Sequence, residues 1–323
     1  MNPIRIAITS GDIDGIGSEV VSKALAKVRP KKNVFFYLWR SPRTSQKDLR
    51  RIDRYYKRIT VSTWPEALKI EPSSGKHIID IASVLSPAKW VELSAKACMH
   101  NHLHGIATAP LSKKTIFDAK INAVGHTEIL QTVSGSSNVF MTFIGKDFHV
   151  LLVTGHLPLA EVSNTLNVAR LFEAGKAASQ VQKVLPKKWQ LKPLAFVGLN
   201  PHAGEEGIIG SEEKQIFKKA LSKLNKSKIG GVGPLVPDVA FLKRNWSKYS
   251  IYVCPYHDQG LIPFKMIHGQ DSGVHITSGL PFVRTSVDHG TAKDIFDLNK
   301  ANPNSMIEAI NWAVKLCELK TKG

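Results

Sequence analysis

Apolar positions along the 323-residue chain gather into short runs, IRIAIT, NVFFYLW, HGIATAP, HVLLVTG, LAFVGLN and SIYVCPY, with amphipathic stretches between them. The runs read as strands, and the spacing of apolar residues elsewhere predicts helices over 18–28, 161–184, 211–224 and 305–319. Alternation of this kind predicts βα units and a mainly parallel sheet. There is no repeat at solenoid spacing and no low-complexity tract, so the chain should be compact. KIGGVGPLVPD, residues 228–238, is the richest Gly/Pro stretch and reads as a functional loop rather than a linker.

Composition narrows the class. At 43% hydrophobic residues the chain can bury a large core, as one α/β domain or two lobes. The first ten residues, MNPIRIAITS, have no signal-peptide pattern and no run of 18 apolar residues occurs, so the expectation is a cytoplasmic protein without a membrane span. Cys98, Cys254 and Cys317 lie far apart and form no CxxC pair, so any metal must use other ligands. The net charge of +18 is concentrated in residues 29–58, where eleven Lys/Arg face two Asp and six aromatic residues intervene. Basic residues with interleaved aromatics can form a nucleic-acid surface. Strand and helix periodicity instead put these aromatics in a core and these charges on a solvated face.

Three of the apolar runs end alike, in LLVTGHLPL, FVGLNPHAGE and YVCPYHDQG, each with a histidine just beyond the strand: His156, His202 and His257. Ligands of open α/β sheets bind outside the carboxyl ends of strands, so the three can converge. Neutral imidazoles suit zinc and its neighbours, and three protein ligands leave a position open for substrate. His100, His102 and His104 in HNHLHG share one face if that segment is a strand, but they lack a nearby carboxylate or Cys and read as a surface cluster. A second theme is anion binding. Lys265, His275 and Arg284 fall within twenty residues, and GHTEIL adds His126 and Thr127; cations with hydroxyl and imidazole donors fix phosphate groups. The glycine loop SGDIDGIGSEV matches only the first two glycines of a dinucleotide fingerprint, at Gly15 and Gly17, with Val20 at the third place, and it fails as a calcium loop at Ile16.

Seven ordered motifs then carry a specific resemblance: TSGDIDGIGSE at 9–19, TAPLSK at 108–113, GHTEIL at 125–130, HLPL at 156–159, GLNPHAGEEG at 198–207, YHDQGLIPFK at 256–265 and GLPFVRTSVDHGTA at 279–292. Together they resemble the 4-hydroxythreonine-4-phosphate dehydrogenase (PdxA) family; residues 20–100 carry little of the likeness. The resemblance implies two α/β/α lobes around a central cleft, similar to the isocitrate and isopropylmalate dehydrogenases. Lobes of 1–135 with 270–323, on the nucleotide side, and 136–269, with the metal-ligand strands, are expected. It implies His156, His202 and His257 as ligands of a divalent metal (zinc, cobalt or magnesium), and His126, Thr127, Lys265 and Arg284 on a phosphorylated substrate. His275 stands where the family usually has Asn. Ile13, Asp14, Ser18 and Gly155 are smaller departures, the last where Thr commonly precedes the ligand. HGTAKDI at 289–295 resembles the HGSAPDI nucleotide loop of the related dehydrogenases and places Gly290, Thr291 and Asp294 near the adenosine of NAD or NADP.

The implied reaction is oxidation of 4-phosphohydroxy-L-threonine to 2-amino-3-oxo-4-phosphooxybutanoate, which decarboxylates to 3-amino-2-oxopropyl phosphate, in pyridoxal 5'-phosphate biosynthesis. Asp258, Asp238 and Lys113 are candidates for the base that takes the alcohol proton, each equally placed to orient a ligand. A homodimer with shared active sites is expected. Two alternatives stand beside this reading: a sibling dehydrogenase of erythronate or threonate phosphate, which His275 keeps open, and an inactive basic protein using residues 29–58 on nucleic acid.

Overall fold

A computed structural model describes residues 3–71, 73–269 and 273–321. Among these, β1 (Ile4–Thr9), β2 (Val34–Arg40), β3 (Lys57–Val61), β4 (His77–Ala82), β5 (Gly105–Thr108), β6 (Phe140–Ile144), β7 (His149–Leu152), β8 (Leu194–Val197), β9 (Gly231–Leu235), β10 (Tyr252–Cys254), β11 (Val274–Ser278) and β12 (Val283–Ser286) are interspersed with helices. The chain divides into two compact units, Met1–Ser137 with Leu280–Gly323, and Asn138–Gly279. The lobe edge expected at residue 270 falls on a position outside the described residues.

In the first unit the strands run β3-β4-β2-β1-β5-β12, every neighbouring pair parallel. Parallel strands need cover on both faces, and the central ones have it: Ile6, Ala7 and Ile8 of β1 and Leu38 and Trp39 of β2 are all buried. The Gly17–Leu25 helix supplies part of that cover through Val20, Val21, Ala24 and Leu25. Its glycine loop owes two of its glycines to chain packing. Gly11 has φ +68°, and a Cβ there would lie 2.1 Å from the Pro110 carbonyl oxygen; a Cβ on Gly17 would lie 2.0 Å from that of Ser10.

The basic stretch 29–58 belongs to this unit, with most of its aromatics in the core and part of its charge paired. Phe36, Tyr37, Trp39 and Tyr56 are buried. Arg40 pairs with Asp80 at 2.7 Å, Arg58 with Asp53 at 2.8 Å and with Asp80 at 2.9 Å, and Arg51 with Asp48 at 2.7 Å. His100 and His102 are exposed in the turn after the Pro87–Met99 helix, not on a strand, while the Nδ1 of His104 accepts from Arg5 N–H at 3.0 Å.

The strands pair mainly in parallel, as expected, and the antiparallel exceptions among the described pairings lie in the second unit. Its order is β11-β6-β7-β10-β8-β9, with β11·β6 and β6·β7 antiparallel and the remaining pairs parallel. Only residues 145–148 join β6 to β7, a connection too short for a parallel crossover. Phe143, Phe148, Tyr252 and Phe264 fill the core beneath this sheet. The single helix expected over 161–184 is two, Val162–Thr165 and Val168–Gln182: Leu166 and Asn167 turn extended, and the Asn167 side chain caps the second helix by accepting from Arg170 N–H at 2.8 Å. The 228–238 segment is in part an edge strand, since Gly231–Leu235 pairs with β8 as β9. Among the described residues no helix is long and apolar enough to cross a membrane.

Candidate active site

Three parallel neighbours in the second unit, β7, β10 and β8, carry the three histidine-bearing loops at their carboxyl ends. β10 stops at Cys254 because Pro255 has no N–H for the ladder. The Pro255 carbonyl instead accepts from both the N–H and the hydroxyl of Thr154, at 3.1 and 2.8 Å, clamping the exit of β7 to the exit of β10. Extended Tyr256 then starts the His257–His268 helix, so His257 and Asp258 occupy its first turn. The clamp leaves the His156 and His257 rings 5.3 Å apart between centroids. His257 Nδ1 lies 2.6 Å from Asp258 Oδ1. Donating that proton to the carboxylate leaves Nε2 as the lone-pair nitrogen, the arrangement of a metal-ligating histidine with an orienting acid. A Cβ on Gly155 would find only Met141 Sδ at 3.8 Å, so the departure from Thr there relieves no crowding.

His202 behaves differently. β8 leaves its sheet under firm control: buried Glu213 accepts from the N–H groups of Leu199 and Asn200 at 2.8 and 2.7 Å, and Gln259 Nε2 donates to the Gly198 carbonyl at 2.7 Å. Beyond Pro201 the backbone runs through positive φ at His202, Ala203, Gly204, Glu205 and Glu206, and His202 is exposed. Four of these five are non-glycine residues in a region that disfavours them. Among the described residues no group of three or more His, Cys, Asp or Glu side chains is placed to hold a metal. Of the three histidines expected as metal ligands, His156 and His257 lie adjacent, and His202 is not gathered with them among the described residues.

Three of the residues expected on a phosphate, His126, Thr127 and Arg284, lie in the first unit. Arg284, on β12, is 2% exposed and donates from Nη2 to Thr108 Oγ1 on the neighbouring β5 at 2.8 Å. Burial lowers its pKa to about 9, with the Glu128 carboxylate pulling the other way, so the guanidinium is still charged at neutral pH. His126 and Thr127 open the His126–Ser134 helix behind extended Gly125. Burial, and secondarily the Arg284 charge, hold His126 well below its ordinary pKa, so it is a neutral imidazole. Its Nε2 is buried without a hydrogen-bond partner among the described residues. A buried guanidinium, an uncommitted buried imidazole nitrogen and a helix N-terminus form a cradle for an anion. Thr108 was not singled out from the sequence; a threonine ending a strand beside a buried arginine has no local signature.

Of the other anticipated substrate residues, Lys265 is half-buried in the His257–His268 helix. His275 is 7% exposed on β11, its ring stacked on Phe143 of β6 at 5.0 Å and 14°. Of the candidate bases, Asp258 has one oxygen committed to His257, whereas exposed Asp238 opens the Pro237–Ala240 turn and exposed Lys113 the Lys113–Asp118 helix. Gly290 and Asp294 are exposed, and Thr291 meets the glycine loop: Ile16 N–H donates to its carbonyl at 3.0 Å. Beside it Lys293 donates to Asp14 at 2.6 Å, a contact that depresses the Asp14 pKa. The two dehydrogenase-like motifs are therefore bound to each other.

Comparison with known proteins follows this geometry. The family described as "Pyridoxal phosphate biosynthetic protein PdxA" matches residues 42–313. A 4-hydroxythreonine-4-phosphate dehydrogenase of Aquifex aeolicus is 37% identical over 319 residues, covering 95% of this chain and 96% of that one. A D-threonate 4-phosphate dehydrogenase of Salmonella typhimurium is 34% identical, over 98% of this chain and 100% of the relative. The crystal structure of 4-hydroxythreonine-4-phosphate dehydrogenase from Klebsiella pneumoniae superimposes with a TM-score of 0.75 at 29% identity, covering 98% of each chain.

Proposed function

The chain belongs to the PdxA family of pyridoxal phosphate biosynthetic proteins, and from that premise we propose that it is an NAD(P)-dependent dehydrogenase of 4-phosphohydroxy-L-threonine. The product, 2-amino-3-oxo-4-phosphooxybutanoate, is a β-keto acid and loses CO₂ to give 3-amino-2-oxopropyl phosphate. The observation that carries the reading is the buried Arg284–Thr108–His126 cradle, whose charge and donors suit a phosphate monoester.

In this reading Arg284, His126 and Thr127 hold the phosphate, with Lys265 and His275 as further contacts. His156 and His257 hold a divalent metal, Asp258 fixes the His257 ring, and His202 completes the set, within one chain or from a second copy in a homodimer with shared sites. When bound, the metal acidifies the secondary alcohol and the nicotinamide accepts its hydride. Gly290, Thr291 and Asp294 line the nucleotide side. With one Asp258 oxygen committed to His257, Asp238 and Lys113 are the freer groups to receive the alcohol proton. Exposure of His156 and His202 is consistent with a ligand set that a second chain covers.

A second reading, oxidation of threonate or erythronate phosphate, is favoured by one feature, the bulky His275 ring held on Phe143 where the family usually has Asn. Both readings need the cradle and the histidine pair and differ in the carbon skeleton accepted. The test is reduction of NAD⁺ and NADP⁺ by purified, metal-analysed protein on the three phosphorylated acids. Highest kcat/KM on 4-phosphohydroxy-L-threonine is expected. Turnover confined to the sugar acids would transfer the assignment to the second reading, and an inactive metal-free protein indifferent to His202→Ala would defeat both.

A further inference from the structure

The strongest feature the reaction does not absorb is a cavity of about 200 Å³ in the first unit, at the carboxyl ends of β1 and β2. It is smaller than the roughly 300–1,000 Å³ of a whole small-molecule site, so it takes one end of a ligand. One wall is the glycine loop, one is Phe296–Asn299 directly after the nucleotide-like motif, and the third is the loop leaving β2, SPRTSQK. The Ile16–Thr291 and Asp14–Lys293 contacts hold the first two walls together.

The lining has a division of labour. Ile13 and Phe296 are large apolar side chains left 50% and 45% exposed, suited to the faces of a planar base. Asp12 is 2% exposed; its Oδ2 accepts from Ser112 N–H at 3.2 Å, while its buried Oδ1 has no hydrogen-bond partner among the described residues. That oxygen is an acceptor for a ribose hydroxyl or an exocyclic amine. Three carboxylates of the lining have cationic partners: Asp12 has Lys293, 3.7 Å from its Oδ2, Glu19 has Lys23 at 2.6 Å, and Asp48 has Arg51 at 2.7 Å with the hydroxyls of Ser22 and Ser18.

Arg43, on the β2 loop, and Lys47, in the first turn of the Gln46–Ile52 helix, are the unmatched cations of the lining among the described residues. Both line the cavity, are exposed, and make no ion pair or side-chain hydrogen bond among the described residues. Both are nonetheless held by their backbone: Ser41 Oγ accepts from Arg43 N–H at 3.1 Å, Thr44 Oγ1 donates to the Ser41 carbonyl at 2.8 Å, and Ser45 Oγ caps the Lys47 helix by accepting from Asp48 N–H at 3.2 Å. Among the described residues Asp297 is the one acid of the lining without a cationic partner, one charge against two.

We propose that this cavity receives the adenosine end of the nicotinamide dinucleotide, and that Arg43 and Lys47 select the form phosphorylated on the ribose 2'-hydroxyl, NADP⁺, over NAD⁺. A 2'-phosphate dianion gives both cations a partner, and a bare ribose hydroxyl gives them none. The proposal rests on the dehydrogenase reading for the identity of the cofactor, while its recognition element is measurable without turnover. Calorimetric titration of the full-length protein with 2',5'-ADP and with 5'-ADP, which carries its extra phosphate elsewhere, isolates the 2' position. The expected ratio of affinities is about tenfold in favour of 2',5'-ADP, the effect of two solvent-facing charge contacts. In the Arg43→Ala/Lys47→Ala double variant, whose surface changes leave the core intact, the ratio falls to about one. Equal affinities in the parent protein, or an unchanged ratio in the variant, would overturn the proposal. Turnover with NAD⁺ and NADP⁺ alike, without discrimination, removes the proposal and leaves the dehydrogenase reading. Discrimination between the ADP isomers in a protein that oxidises none of the phosphorylated acids removes the dehydrogenase reading and leaves the pocket.

Discussion

The cradle of the first unit and the histidine pair of the second solve opposite problems. Arg284 is buried and still charged, and its donors are positioned before any ligand arrives. His156 is exposed, His257 half-buried, and His202 stands apart at the end of the next strand. A buried charge acts in a low dielectric and gains most from a fully matched anion, whereas a solvent-facing pair of imidazoles gains its strength only when further ligands join. In the proposed reading the Arg284 group is preformed by its own strands, whereas the histidine pair is an arrangement of strand ends that further ligands would complete.

This contrast is broken most forcefully at Arg284. Arg284→Met should leave the phosphate beside a buried site with its charge partner gone, a loss of about 2–5 kcal/mol, or roughly 30- to 5,000-fold in kcat/KM. Because the phosphate is held in ground and transition state alike, the loss should appear mainly in KM. Metal content should not change. His257→Ala should do the converse: more than about 100-fold loss of metal affinity, beyond that of an outer partner, with inorganic phosphate still protecting the protein against thermal unfolding. If either substitution abolishes both metal and phosphate binding, the two sites are not independent and the contrast fails.

What could be read in the sequence follows the same line. Long apolar runs such as IRIAIT and NVFFYLW declare buried strands, and strand-end logic brings His156 and His257 to neighbouring strands because β7 and β10 are parallel partners. β6 and β11, FMTFI and VHITS, are harder to read, since Thr142 in the one and His275 and Thr277 in the other interrupt the apolar pattern and the two pair only across a long stretch of chain. Nothing in PHAGEEG signals a run of positive φ, because Ala and Glu rarely adopt it and no spacing rule encodes it. Arg284 was legible as a cation; its burial and its bond to Thr108 were not, for they arise from β12 pairing with β5 across more than a hundred and seventy residues.

Asp258 sharpens the comparison with a smaller effect. Asp258→Asn keeps the shape but weakens the charge-assisted bond to His257 Nδ1 and can present the amide in place of an acceptor. A loss of about 10- to 100-fold in metal affinity is expected, with substrate phosphate binding unaffected. A metal titration of the two proteins decides it. Equal affinities would mean that Asp258 does not orient the ring.

The smallest effect tests whether the second unit, open at its strand ends, is as closed beneath them as the first unit is around Arg284. His149 begins β7 with 2% exposure, and burial, then the His268 and Lys188 charges, lower its pKa from 6.5 to about 3. Its Nδ1 accepts from Gly145 N–H at 3.3 Å and its ring meets Trp189 at 5.1 Å, so protonation would set a proton against a donor inside an apolar wall. A histidine with a depressed folded pKa is neutral in the native state and takes up its proton on unfolding. Its contribution is therefore present above pH 6.5 and is withdrawn as pH falls toward 3. Between pH 7.5 and 6 the loss is about 1 kcal/mol. Urea unfolding at those two pH values should show a drop in wild type that His149→Gln reduces by that amount, the buried His126 and His268 contributing equally to both proteins. An unchanged pH dependence in the variant would place water at His149 and make the floor of the second unit as open as its histidine pair.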